Sequence, residues 1–298
     1  MTARLATHPD VADRTPEVLE RLAAAGVDVE FVGADFGRSG AGGTGGDALL
    51  SVGDSTLDLA LVGITALRGS AADDLTTVAV LPRLEPRDVL VTMSGRAVSL
   101  ADLPEGARVG LIGRRRHALL AAHRPDLVAV SLDRETLREV AGVRGEESTG
   151  TSDASGGVDA LVMSALDARF VGLVDATVEA LDAKAWLPEP GQGALALLAR
   201  HPIAEATALD HLPTRTALRA ELALLEALDA PHDAPLGCLA QPSGRWIRLW
   251  AVALSPDGRR LVRSDLTGPL DEPEGLGASV ARQLVERGFG LVLDGISG

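Results

Sequence analysis

Short aliphatic runs alternate with helical stretches twice along this chain, and that order constrains the fold more than any other feature. Arg4–Thr7 reads as an opening strand. Pro16–Ala25 carries Val18, Leu19 and Leu22 at helical spacing and stops at Gly26. Val27–Val32 alternates as a strand, so the chain opens β-α-β, the start of a parallel sheet. Leu57–Val62, Thr76–Leu81 and Val89–Thr92 add strands, with a short helix expected over 47–52. A second set follows: strand Arg108–Ile112, helix His117–His123, strands Leu127–Val130 and Val158–Met163, then a largely helical Leu166–Leu181. The last third predicts a helix over Arg215–Leu228, with Leu218, Leu222, Leu225 and Leu228 on one face. Strands Trp246–Leu254 and Arg260–Asp265, a helix Leu276–Arg287 and a final strand Leu291–Leu293 complete it.

The expected fold class is α/β: two similar βαβ lobes hinged around a cleft, in a periplasmic-binding-protein-like layout, plus a small α+β C-terminal domain. The expected domains are residues 1–95 with 188–210, residues 96–187, and residues 211–298. Aromatics make up 2% of the chain and Tyr is missing, so the cores must be aliphatic. One cysteine in 298 residues argues against a disulfide-built fold. A net charge of −14 argues against a nucleic-acid partner. No apolar signal core opens the chain and no apolar run reaches membrane-spanning length, so a cytoplasmic location without a membrane partner is expected; the chain is expected to be a monomer. Six histidines and one cysteine form no metal-ligand spacing, so no metal is expected. Residues 37–46 (GRSGAGGTGG) lack the Gly-Lys-Ser/Thr of a phosphate loop and read as a mobile loop.

Several residues are candidates for chemistry. Cys238 lies in Leu236-Gly237-Cys238-Leu239-Ala240-Gln241-Pro242, where Gly and Pro suggest a tight loop. It is either a small buried hydrophobe or a presented, reactive thiol. Arg114, Arg115 and Arg116 follow a predicted parallel strand, at the end where α/β sheets bind ligands. Gln192 sits in the turn Pro188–Gly193 and either lines a cleft or forms the turn. Arg169 reads as a helix-surface charge as readily as a ligand, His8 as a surface residue, and Asp58 and Asp159 as structural.

Four stretches, in order, resemble porphobilinogen deaminase (hydroxymethylbilane synthase). They are Leu84-Glu85-Pro86-Arg87-Asp88-Val89-Leu90-Val91; Val109-Gly110 with Arg115-Arg116 and Arg124-Pro125-Asp126-Leu127; Leu187-Pro188 through Gly191-Gln192-Gly193-Ala194; and Leu236-Gly237-Cys238 through Pro242. The resemblance implies a transferase of tetrapyrrole biosynthesis. Its substrate is the small molecule porphobilinogen, four units of which condense with loss of ammonia on a dipyrromethane cofactor. It further implies a thioether from Cys238 to that cofactor, and Arg115, Arg116 and Gln192 as substrate-binding residues. Each unit brings two carboxylates, which arginine binds bidentately.

The chain departs from the family's pattern at the chemistry. Where the family carries His-Ser-Met-Lys-Asp, this chain reads Gly63-Ile64-Thr65-Ala66-Leu67. Ala66 then stands for the Lys and Leu67 for the catalytic Asp, so no catalytic residue is assigned. Asp73 and Asp74 lie too far along to substitute. Ala6-Thr7-His8-Pro9-Asp10 lacks an arginine of the family's opening run, and Asp133 with Arg134 replaces another. A second reading therefore stands beside the first: a catalytically impaired paralogue that binds a pyrrole or another small acidic ligand.

Overall fold

The computed structural model describes residues 2–7, 9–33, 58–67, 75–96, 98–133, 136–137, 140, 157–173, 178–201 and 203–293. In chain order its first elements are β1 (Ala3–Thr7), α1 (Thr15–Ala24), β2 (Val29–Gly33), β3 (Leu59–Gly63), the single turn α2 (Ile64–Leu67), β4 (Thr76–Val80) and β5 (Asp88–Thr92). Next come β6 (Arg108–Leu111), α3 (Arg114–His123), β7 (Val128–Ser131), β8 (Ala160–Ser164), α4 (Ala165–Phe170), β9 (Val178–Ala180) and β10 (Leu195–Ala199). The chain ends with α5 (Leu212–Leu228), β11 (Leu236–Ser243), β12 (Trp246–Leu254), β13 (Leu261–Pro269), α6 (Pro273–Glu286) and α7 (Phe289–Leu293).

These elements form two compact units, Met1–Glu85 with Gly191–Leu218, and Pro86–Pro190 with Arg219–Gly298. The first holds a five-stranded sheet in the order β2-β1-β3-β10-β4. β1 pairs in parallel with β2 and β3, and β10 pairs antiparallel with β3 and β4. Strand β10, Leu-Ala-Leu-Leu-Ala, is buried along its whole length. A strand flanked on both edges and covered on both faces must be apolar throughout.

The second unit repeats the plan in the order β7-β6-β8-β5-β9. Again two parallel pairings are followed by two antiparallel ones. The unit also holds the antiparallel meander β11-β12-β13, against which α6 packs. One aliphatic core joins this meander to the five-stranded sheet. Val109, Leu111, Leu119, Trp186 and Leu187 lie in it together with Val252 and Leu254 of β12.

The α/β class, the two similar lobes and the C-terminal meander match the expectation. Four details differ. Residues 88–92 belong to the second sheet rather than the first, because β5 pairs with β8 and β9. The expected third domain shares its core with the second lobe. Helix α4 ends at Phe170 rather than running to Leu181, and Val178–Ala180 is a strand paired with β5. The closing segment Phe289–Leu293 is helical, since a short apolar run has no period of its own. The 37–46 glycine loop, the 47–52 helix, His8, Asp73, Asp74 and Arg134 lie outside the described residues.

Candidate functional site

In the second unit, chemistry gathers around Asp88, the first residue of β5. Its carboxylate is fully buried. Arg115 Nη2 donates to Oδ2 at 2.8 Å and Arg116 Nη2 to Oδ1 at 2.9 Å. Trp186 Nε1 adds a third donor to Oδ2 at 2.9 Å. The local chain explains the meeting. α3 starts directly after β6, so its first turn carries Arg115 and Arg116 across the end of the sheet. β5 runs against β8 and begins there, with Asp88 opposite Ser164.

Both arginines are enclosed, at 7% and 8% exposure. Arg115 Nη1 also donates to Leu187 O at 2.7 Å, and Arg116 Nη1 to Ile112 O at 3.1 Å. Burial works against ionising Asp88, but the adjacent Arg115 and Arg116 guanidiniums outweigh it and hold the carboxyl well below the usual carboxylate range. Two guanidiniums face one carboxylate, and Glu189 acts on both arginines and Asp167 on Arg116 as further anions.

Cys238 departs from its expected setting. It lies inside strand β11, not in a loop, and is 0% exposed. Its backbone N–H donates to Pro188 O at 2.9 Å. Across the meander it stands opposite Ala251, which stands opposite Ser264. Residues directly opposite in an antiparallel sheet share a face. Ser264 Oγ donates to Gln283 Oε1 of α6, so this is the helix-covered face. The alternate face carries Gly237, where an added Cβ would stand 2.6 Å from Leu187 O. The sulfur therefore points into the layer between sheet and helix, away from Leu187 and the Asp88 triad.

In the first unit, two of the quoted stretches converge with the Gly63–Leu67 run. Ile64 N donates to Ala194 O at 2.9 Å, and Leu84 N to Gly193 O at 2.8 Å. Arg83 Nε donates to the backbone carbonyl of Gln192 at 2.9 Å, and the Gln192 side chain is buried. Gly193 has φ 78°, and an added Cβ would come within 2.9 Å of Glu85 O, so no other residue fits this turn. The backbone of Gln192 thus forms the turn. The neighbouring Gly63–Leu67 contains no carboxylate and no amine.

Asp58 and Asp159 accept from the backbone N–H groups of Arg4 and Arg108, both in structural roles. Arg169 closes the last turn of α4, and Asp133 accepts from Thr136 N. Among the described residues no group of three or more His, Cys, Asp and Glu could hold a metal ion. No described helix is long and apolar enough to cross a membrane. The sequence reading did not single out Asp88 or Trp186. The available signal for Asp88 was an acid opening an otherwise apolar buried strand.

Residues 47–208 match the sequence model of a family described as porphobilinogen deaminase, dipyromethane cofactor binding domain. The chain is 36% identical to the porphobilinogen deaminase of Desulforudis audaxviator, over 80% of this chain and 74% of that protein. It is 35% identical to that of Thermobifida fusca, over 81% and 75%, and 36% identical to that of Thermus thermophilus, over 81% and 77%. Cys238, the sole cysteine, lies beyond the matched domain. Its side chain is fully buried in β11. On the match across both five-stranded sheets and on these relatives, the chain belongs to the porphobilinogen deaminase family.

Proposed function

We propose that the chain serves tetrapyrrole biosynthesis as a hydroxymethylbilane synthase-like transferase that takes porphobilinogen and condenses its units with loss of ammonia. The observation that carries this reading is the family match over residues 47–208, which spans strands of both five-stranded sheets. The paired guanidiniums of Arg115 and Arg116 support it, because guanidinium is the side chain that pairs with the carboxylates of an acetate and a propionate. Arg115 and Arg116 are the substrate-binding candidates in this reading, with Gln192 as a third on the turn beside Ile64. The partner is a small molecule, and the charge of −14 speaks against nucleic acid. The working state is a cytoplasmic monomer.

Loss of ammonia builds positive charge on a pyrrole methylene, which a carboxylate must stabilise. Gly63–Leu67 offers none, and Asp88 is committed to two guanidiniums and an indole. That observation favours the second reading, a paralogue that binds porphobilinogen or a related acid without condensing it. Incubation of the purified chain with porphobilinogen separates the two. Transferase activity releases one ammonia per porphobilinogen consumed and yields a linear tetrapyrrole. Saturable binding without ammonia release selects the paralogue. Neither binding nor release overturns both.

A further inference from the structure

We infer that Cys238 is a core-packing residue and that the folded chain carries no thioether-linked cofactor. The inference takes only the identity of the group from the family reading. The rest is geometry. Cys238 is fully buried in β11, with Leu236 and Ala240 beside it on the same face and Ala251, Ala253 and Leu249 opposite. All five neighbours are buried, as are Val280 and Leu284 of α6, the helix that covers this face. The side chains facing Cys238 are aliphatic; the polar groups nearby are the Ser264–Gln283 pair on the same face and the buried Glu221, which accepts from Ala240 N at 2.8 Å.

A dipyrromethane anchored there would bring two rings and ionised acetate and propionate groups into this layer. Each buried, unpaired carboxylate costs several kcal/mol. The alternative is to turn the sulfur out. β11 would then have to leave its register with β12, along which Leu236 to Ser243 pair without interruption, and release the bond from Cys238 N to Pro188 O. A rotamer change is not enough, because the opposite face is closed by Leu187 against Gly237. Since Cys238 is the only cysteine, no other thiol can take its place. Any pyrrole primer used by this chain is held without a covalent anchor.

The test is the intact mass of the full chain purified from cells that make porphobilinogen, together with thiol labelling by an aromatic disulfide. The expected mass is that of the bare polypeptide. The expected labelling in the folded chain is at least about 100-fold slower than in guanidinium, as for a group exposed only by opening of the core. A mass excess of two pyrrole units, lost in Cys238→Ala, overturns the inference. So does labelling of the native chain at the unfolded rate. Both wild-type readouts stand even where the variant does not fold. Porphobilinogen binding on the same sample reports on the functional reading separately, so either claim can fail alone.

Discussion

The two five-stranded sheets share one pairing plan and differ in the polar chemistry at the ends of corresponding strands. β1 and β6 occupy the same place in the two orders, each between two parallel neighbours. Where β1 ends, Thr15 Oγ1 donates to Thr7 Oγ1 at 3.0 Å, a buried and neutral pair. Beyond β6, Arg115 and Arg116 meet Asp88, a buried and charged triad. The aliphatic pattern builds the frame in both sheets, and one or two residues at a strand end decide whether it holds a hydroxyl or a charge. A neutral pair loses little when broken. A buried ion cluster is costly to assemble and fails badly when one member is removed.

The largest effect expected from this contrast is in Asp88→Ala, which leaves two buried guanidiniums facing each other. It should cost about 3–5 kcal/mol in denaturant unfolding. Thr7→Val, at the matching place in the first sheet, should cost about 1 kcal/mol. Equal losses would show that the triad is no more demanding than the hydroxyl pair.

Acid titration sharpens the same contrast. The pKa of Asp88 is depressed in the folded chain, so below its ordinary value of about 3.9 the unfolded state binds the proton first. Its stabilisation is therefore complete above about pH 4 and is lost as pH falls below that value toward the folded pKa. Unfolding free energy followed by denaturant from pH 6 downward should fall more steeply below about pH 4 in the wild type than in Asp88→Asn. Parallel curves would remove the triad as the source.

A smaller effect than that of Asp88→Ala is expected at Cys238. Among buried aliphatic neighbours Cys238→Ala costs about 1 kcal/mol, whereas Cys238→Ser buries a hydroxyl and costs about 1–3 kcal/mol. Thermal unfolding should rank Ser below Ala. The reverse order would place the side chain in a polar setting.

What the sequence made legible follows from local rules. The aliphatic strands, helix α3 and the Gly-Gln-Gly turn each carry their own signal in period or glycine spacing. Gly237 and Pro242 look like breakers and suggest a loop around Cys238, where the structure has strand β11. Gly237 is instead required by the close approach of Leu187, and Pro242 sits near the end of an edge strand, where a missing N–H is tolerated. Arg115 and Arg116 follow the parallel strand β6 in the structure as in the sequence pattern. Their partner Asp88 lies 27 and 28 residues away in sequence, and no local period reports such a pairing.

The most direct measurement is a calorimetric titration of porphobilinogen into the wild type and into folded Cys238→Ala. The account predicts saturable binding with the same affinity and heat in both, as expected of a family ligand held without an anchor at this sulfur. Binding that disappears in a Cys238→Ala chain of unchanged fold would contradict it.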